Sequence, residues 1–482
     1  MRWVYVFRVV GVLISFFGLS MLVPVFYGFF NQDPSLSPTL IAMGITLAVG
    51  LLMVVSFRIK KTGHISQREG MAIVTLGWTA MGFFGSLPFF LGEEIPQFVD
   101  AVFESVSGVT TTGSSILTHI GGMSRGLLLW RSFIQWLGGM GIIVLSLAIL
   151  PFLGVGGMQL YKAEVPSPVP DKLTPRIRET AIILWKVYLF FTMAEIVLLM
   201  VAGMGLFDAV CHGLTTLPTG GFSTKNTSVT HFDSIYIDGV ITFFMFVAGI
   251  NFSLHYQMLR GRPLVFWRDE ECRFYLLIVF VLVVVVTFDI HGYLYEGLGQ
   301  AFRYSSFQVI SLLTTTGFGT ADYEKWPAMS QLILFFLMFV GGSAGSTGGG
   351  MKCLRIMLCF KYCYRELFSM VHPKAVTRIK INGSPVPEEV LRSILGFLAL
   401  YVGLFVLCSV LLGAMGVDFI TSFSAVLAAL SNIGPGFGLV GPVDNFAHIP
   451  DAGKWLLIWC MLLGRLEILT VIIFLVPEFY RK

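Results

Sequence analysis

Charge is scarce in this chain. Only 12% of its 482 residues are Asp, Glu, Lys or Arg, against roughly 25% in an ordinary soluble domain, and no polar stretch is long enough to fold as a separate soluble unit. The net charge of +4 is mild and arises from connecting segments, so nucleic-acid binding has no support. Ligand-spaced cysteine is also missing. Cys211, Cys272, Cys353, Cys359, Cys363, Cys408 and Cys460 are scattered through apolar or cytoplasmic-looking segments and read as free thiols. Cys359 and Cys363 read as a chance helical pair, not half a zinc site. No paired acids, metal-ligand cluster or activated nucleophile stands near an expected membrane face, so nothing supports an enzyme. The first thirty residues have no small-x-small cleavage site and form a run long enough to span, which reads as a retained helix, not a signal peptide.

What the chain has in quantity is apolar surface. Hydrophobic residues make up 55% of it and the mean hydropathy is +0.81, the mark of an integral membrane protein whose runs approach the roughly 20 residues that cross a bilayer. Cutting those runs at Pro, Gly and charge clusters predicts an all-α polytopic protein of about ten spans. An N-terminal pair, about 3 to 28 and 39 to 58, precedes four repeats. Each repeat has a first span (70 to 91, 179 to 203, 272 to 292, 390 to 415) and a segment too short to cross (98 to 109, 207 to 217, 299 to 313, 418 to 430). A glycine loop and a second span follow (126 to 150, 235 to 258, 329 to 366, 453 to 477). The resulting units are 1–65 for the pair, then 66–165, 166–265, 266–383 and 384–482.

The loops carry the functional signal. They read Thr110-Thr111-Thr112-Gly113, Thr219-Gly220-Gly221, Thr315-Thr316-Gly317 and Asn432-Ile433-Gly434, with their last glycines about 100 residues apart. One such loop alone is a glycine turn between membrane helices. Four in register behind short apolar segments are the linear trace of a four-fold pore built from one chain, in which backbone carbonyls replace the water around a dehydrated cation. Matching offsets support the duplication: Asp100-Ala101-Val102 and Asp208-Ala209-Val210 each begin thirteen residues before their glycine, and Ser107, Thr215 and Ser311 sit six before theirs. No acid stands at any of the four glycines, which argues against a carboxylate ring for a divalent ion and suits a monovalent one.

Lys and Arg crowd the segments between repeats: Arg58, Lys60, Lys61 and Arg68; Lys162, Lys172, Arg176 and Arg178; Arg260, Arg262, Arg268 and Arg273; and Arg355 to Lys380. The positive-inside rule therefore places those segments and both termini in the cytoplasm, with the glycine loops opening outward. Three further features sit at membrane depth. Gly341-Gly342-Ser343-Ala344-Gly345-Ser346-Thr347-Gly348-Gly349-Gly350 interrupts the second span of repeat three. It is read as a flexible intramembrane loop under the filter, hence a gate, because helix packing needs small residues on one face only. Arg465 lies within the last apolar run and either faces the pore or pairs with Glu467, two residues on and so on a different face. Glu195 is expected to pair with His255 or Arg131, with a proton relay as the alternative.

With these residues in place the chain resembles the superfamily of bacterial Trk and Ktr and plant HKT potassium transporters, over nearly its whole length. The N-terminal pair, Gln135-Trp136-Leu137-Gly138-Gly139-Met140-Gly141 and the glycine-rich run are most similar to the TrkH branch. The resemblance implies that Gly113, Gly221, Gly317 and Gly434 shape a potassium filter, that residues 341 to 350 form the gate, and that Arg465 projects beneath the filter. It also implies a homodimer in the bacterial inner membrane that docks a cytosolic nucleotide-binding regulatory subunit, TrkA in that branch. In plant relatives a serine at the first filter glycine goes with sodium preference; Gly113 favours potassium. The expected function is passive, gated potassium uptake with the ion itself as cargo and no cofactor, the alternative being a symporter coupled to protons or sodium.

Overall fold

The computed structural model describes residues 1–57, 66–148, 173–375 and 377–480. The basic residues Arg58, Lys60, Lys61, Lys162 and Lys172, and the unit boundaries expected at 65 and 165, lie outside the described residues.

Among the described residues the architecture is all-α apart from a hairpin of two two-residue strands, Lys380–Ile381 against Ser384–Pro385. Among the described residues six helices are long and apolar enough to cross a membrane: Trp3–Asn31 in two pieces, Leu36–Ser56, Gln67–Leu91, Glu179–Val201, Glu270–Ile290 and Glu388–Ala414. Their outward faces stay apolar, with Phe30, Leu52, Val201 and Phe280 exposed, as lipid requires. Trp3–Ser20 crosses Leu36–Ser56 at small residues: a Cβ on Gly50 would lie 2.4 Å from Ser15 Oγ, and one on Gly11 2.7 Å from Met53 Cβ. Close backbone approach replaces hydrophobic drive where the solvent is itself hydrocarbon.

Local chemistry starts the first spans. Ser66 and Glu69 form a capping box on Gln67–Leu91, and the Asp269 carboxylate accepts from the Cys272 N–H at 2.8 Å to cap Glu270–Ile290; both satisfy amide groups that a helix start leaves free. Behind the first spans come four short helices, Phe98–Val109, Leu206–Thr216, Leu298–Leu313 and Phe419–Ser431, within a residue or so of the expected bounds. Asp100 and Asp208 occupy first turns, where the helix dipole favours an acid.

The second spans depart from expectation. The run 235 to 258 is not one helix but Ile235–Ala248 and Phe252–Leu259, bent by 102°. Gly249 and Asn251 make the corner, and Asn251 Oδ1 caps the second piece by accepting from Ser253 N–H at 2.9 Å. The run 453 to 477 stops at Arg465 and resumes as the short helix Leu469–Ile472. There Gly464 lies against the Leu430 carbonyl, where a Cβ would meet the oxygen at 2.1 Å, and Glu467 takes a φ of +58°. In repeat three Ala328–Val340 and Cys353–Val371 flank the glycine-rich run.

Candidate cation-conducting site

The four short helices all end in the same way, and the ending places the loops. Each is stopped by a residue in the left-handed region two positions before the glycine: Thr111 (φ +53°), Thr219 (+55°), Thr315 (+60°) and Asn432 (+55°). A β-branched residue resists that region, and holding it there costs on the order of 1–3 kcal/mol. The cost is offset by a hydrogen bond repeated in every loop from the following amide back to the helix: Thr112 N to Ser107 O (2.8 Å), Gly220 N to Thr215 O (2.9 Å), Thr316 N to Ser311 O (2.8 Å) and Ile433 N to Ala428 O (2.9 Å). The amides thus face the helix ends, and of the carbonyls just before the glycines those of Thr112, Thr316 and Ile433 meet no donor among the described residues, while Gly220 O accepts from Gln135 Nε2 at 2.6 Å. A buried carbonyl without a donor needs water or an ion.

The glycines close the four loops into a ring. All have positive φ, from +72° at Gly221 to +106° at Gly434. A Cβ on Gly113 would lie 2.2 Å from Gly220 O, on Gly221 2.0 Å from Thr316 O, on Gly317 1.9 Å from Ile433 O, and on Gly434 3.0 Å from Thr112 O. Each glycine therefore abuts a carbonyl of the next loop in the order 1, 2, 3, 4, 1. Both the backbone angles and the contacts exclude a side chain.

The threonine hydroxyls serve the scaffold. Thr110 Oγ1 donates to Val106 O (2.7 Å) and lies 2.7 Å from Thr112 Oγ1, and Thr314 repeats this with Ile310 O (2.7 Å) and Thr316 Oγ1 (2.8 Å). Asn432 Nδ2 donates to Thr112 Oγ1 (2.9 Å) and Met461 O (2.9 Å), tying loop four to loop one. Ser107 and Ser311, picked out by their offset, donate to Ser114 O (2.6 Å) and Phe318 O (2.7 Å). Thr215 instead bonds back within its own helix.

A second ring of hydrogen bonds joins the loops just beyond the glycines. Asn226 accepts from Ile120 N–H (2.8 Å) and donates to Thr118 O (2.7 Å); Thr230 N–H donates to Gly319 O (3.2 Å); Tyr323 OH donates to Gly436 O (2.7 Å); and Phe446 N–H donates to Ser115 O (2.8 Å). Glu324 reinforces the third junction by accepting from Gly438 N–H at 2.5 Å. Burial holds the Glu324 carboxyl above the usual carboxylate range, against that amide, which favours its ionised form.

One face of the helix Arg125–Ala148 braces the junction of loops one and two, and sequence reasoning missed it. Arg131 and Glu104, both buried, pair at 2.6 Å. Arg131 Nη1 also donates to Ser223 O (2.9 Å), and its guanidinium lies 3.4 Å from the Phe222 ring centroid. Glu104 further accepts from Ser115 Oγ (3.0 Å) and Ile116 N–H (3.0 Å). One turn on, Gln135 Nε2 donates to Gly220 O at 2.6 Å. The 131, 135 spacing on an apolar helix was the available signal.

The run 341 to 350 is bonded on every side. Gly349 N–H donates to Thr315 Oγ1 (2.6 Å), Gly350 N–H to Ser431 O (3.0 Å), Thr347 Oγ1 to Leu217 O (2.8 Å) and Ser343 N–H to Gly249 O (2.8 Å). Phe252 N–H donates to Gly345 O (3.1 Å), Ala344 N–H to Glu271 Oε1 (2.6 Å), and Lys352 Nζ to Gly348 O. Gly341 abuts Gly349 O, Gly342 lies against Gly249, and Ser346 Oγ donates to Ser343 O (2.6 Å). The run thus touches the ends of short helices two, three and four and the corner of the broken second span.

Arg465 completes the contact. Its Nη1 donates to Thr347 O (2.8 Å) and its Nη2 to Gly138 O (3.2 Å), linking the run to repeat one. Glu467 does not pair with it; Glu467 takes Arg355 at 2.6 Å instead, because a helix that stops at Arg465 turns the two side chains apart. Nor does Glu195 pair as expected. Arg131 is committed to Glu104, His255 bonds Val247 O (2.9 Å), and the buried Glu195 carboxylate faces the Thr216 hydroxyl instead.

Fold and site together define a polytopic all-helical membrane protein in which four repeated loops of one chain meet in a ring. Comparison with known proteins specifies the class. A family model described as a cation transport protein, TrkH, matches residues 39–480. The Trk system potassium uptake protein TrkH of Escherichia coli K12 is 42% identical over 479 residues, covering 98% of this chain and 99% of that protein. TrkG of the same organism is 37% identical over 98% of this chain and 97% of its own length. The crystal structure of the potassium transporter TrkH from Vibrio parahaemolyticus matches with a TM-score of 0.92 at 39% identity, covering 100% of both chains. The chain belongs to the TrkH family, a family of transporters and not of enzymes.

Proposed function

We propose that this chain takes up potassium passively through the ring of Gly113, Gly221, Gly317 and Gly434, with carbonyls at Thr112, Gly220, Thr316 and Ile433 replacing the ion's water. The observation that carries the reading is the closed ring itself, in which each loop's glycine abuts the next loop's carbonyl and three of those four carbonyls, of Thr112, Thr316 and Ile433, meet no donor among the described residues. Thr110, Thr111, Thr219, Thr315 and Asn432 hold the ring's shape. The bonded run 341–350 and Arg465 form the gate beneath it, and conduction requires those contacts to part. The relatives' names as potassium uptake proteins support the choice of ion. The membrane potential supplies about 2.3 kcal/mol per charge per 100 mV for inward flow.

The remaining proposals follow from family membership and charge distribution. The chain sits in the bacterial inner membrane with both termini cytoplasmic, works as a homodimer, and is opened or closed by a cytosolic nucleotide-binding subunit of the TrkA kind. Coupling to protons or sodium is the second reading, favoured by the buried Glu195 carboxylate, which pairs with no cation among the described residues. Reversal potentials in proteoliposomes separate the two. A passive pore follows the potassium gradient alone; a reversal that moves with the proton or sodium gradient overturns it. Potassium and sodium uptake in cells lacking their own potassium systems tests the choice of ion.

A further inference from the structure

A cavity of about 1130 Å³ opens between the first turns of Glu179–Val201, the helix Phe252–Leu259 and the segment leading into Glu270–Ile290. It lies at the ends of two membrane spans, on the face expected to be cytoplasmic, and Trp267 beside it is 67% exposed, as aromatic side chains at a membrane interface are. The lining is divided. Ile183, Leu184, Leu254 and Val265 form an apolar wall running along the spans, and Arg260, Arg262 and Arg268 form the polar rim with Gln257.

The charges at that rim do not cancel locally. Asp269 and Glu270 also line the cavity, but Asp269 is occupied by the Cys272 amide (2.8 Å) and Asn382 Nδ2 (2.9 Å), and Glu270 by Lys361 (2.5 Å) and the Asn382 amide (3.1 Å). Among the described residues no carboxylate pairs with Arg260, Arg262 or Arg268; Arg260 only lies over the Tyr256 ring at 4.7 Å. Three uncompensated guanidiniums above an apolar wall at headgroup depth match one chemistry, a phosphate ester carrying hydrocarbon. Guanidinium grips phosphate with paired hydrogen bonds, and basic pockets between spans on the cytoplasmic side suit anionic headgroups.

We propose that this cavity binds the headgroup of an anionic phospholipid of the inner leaflet, its phosphate on Arg260, Arg262 and Arg268 and the start of its chains along Ile183, Leu184 and Leu254. Size decides between lipid and free phosphate. Small-molecule pockets run about 300–1,000 Å³, so an inorganic anion leaves most of this space and all of its apolar wall unused.

The test is thermal melting of the purified full chain in detergent with added phosphatidylglycerol, phosphatidylcholine or inorganic phosphate, beside the variant Arg260→Gln/Arg262→Gln/Arg268→Gln. Phosphatidylglycerol is expected to raise the melting temperature where phosphatidylcholine and phosphate do not. The variant, with an unchanged melting temperature in phosphatidylcholine, is expected to bind phosphatidylglycerol at least roughly ten-fold more weakly, and the three Lys replacements to recover part of the effect. If the glutamine variant does not fold, native mass spectrometry of the wild-type chain with mixed lipids replaces it, with selective retention of phosphatidylglycerol expected. Equal effects of the two lipids, or a shift retained in the glutamine variant, overturns the site. Saturation by inorganic phosphate assigns the rim to a soluble anion and overturns the lipid. Lipid-independent melting with loss only of binding to a cytosolic protein makes it a docking face instead, which also overturns it.

Discussion

Replacing Arg465 with alanine separates a gate contact from a structural ion pair. Arg465 is buried and makes two charge-assisted hydrogen bonds, to Thr347 O (2.8 Å) and Gly138 O (3.2 Å). Bonds of this kind contribute roughly 1.5–3 kcal/mol each, and the longer one belongs at the low end. Their sum, about 3–4 kcal/mol, is an upper bound on the loss, because relief of part of the desolvation that a buried guanidinium suffers acts in the opposite direction. A net loss of about 1–3 kcal/mol from the closed arrangement remains. At about 1.4 kcal/mol per decade, the open fraction rises roughly five- to hundred-fold. With Arg465 in the proposed position beneath the filter, removal of its positive charge acts in the same direction. No acid is orphaned by the change, because Glu467 keeps Arg355 at 2.6 Å, so melting stays within a few degrees. The assay is potassium flux into proteoliposomes and detergent melting on one preparation. A large fall in melting temperature with no gain in flux refutes the reasoning.

Four further outcomes are expected. Gly113→Ser lowers potassium over sodium discrimination, since its Cβ meets Gly220 O at 2.2 Å and a displaced carbonyl favours the smaller ion; unchanged selectivity in a folded protein, read by competitive uptake, counts against this loop. Deleting several residues of 341–350 raises basal flux and leaves ion preference alone, whereas lowered flux or altered preference in rubidium and sodium uptake refutes the gate. Glu104→Gln breaks a buried pair at 2.6 Å and costs roughly 3–5 kcal/mol, seen as a lower melting temperature; Glu104→Gln with Arg131→Met recovers part of the stability without recovering selectivity, and an unchanged melting temperature in Glu104→Gln rejects the brace. Glu324 has a raised pKa in the folded protein, so its contribution is fully present below the unfolded value of about 4.3 and is lost as pH rises through the folded value. Glu324→Gln should therefore flatten the melting temperature against pH across that window, and parallel curves for the two proteins would exclude the effect.

Period and punctuation in the sequence made much of this molecule legible. The short helices begin and end within a residue or so of expectation because they are bounded by local signals, an acid or cap at the start of three of them, Gly297 before the other, and a left-handed turn before glycine at every end. The four loops were legible for the same reason, as glycine is the residue that such backbone tolerates. The absence of charge, the apolar runs and the repeat offsets likewise stand in the linear chain, and they settle the polytopic helical class.

Partnership was not legible. Arg131 with Glu104, Arg355 with Glu467, and Arg465 with Thr347 and Gly138 join residues 27, 112, 118 and 327 positions apart, and a charge in an apolar run says only that some partner must exist. The second spans show the same division. Residues 235 to 258 have the composition of one span, yet the chain turns by 102° at Gly249–Asn251, where Gly249 O and Phe252 N–H are taken up by Ser343 and Gly345 of the glycine-rich run. Composition determined that these residues lie in the membrane and that four loops share one backbone form. Only the tertiary structure decided which carbonyls face a neighbouring glycine, which are consumed by the run beneath them, and which charge meets which, because hydrogen bonds and ion pairs depend on ångström-scale distances that a one-dimensional pattern does not contain.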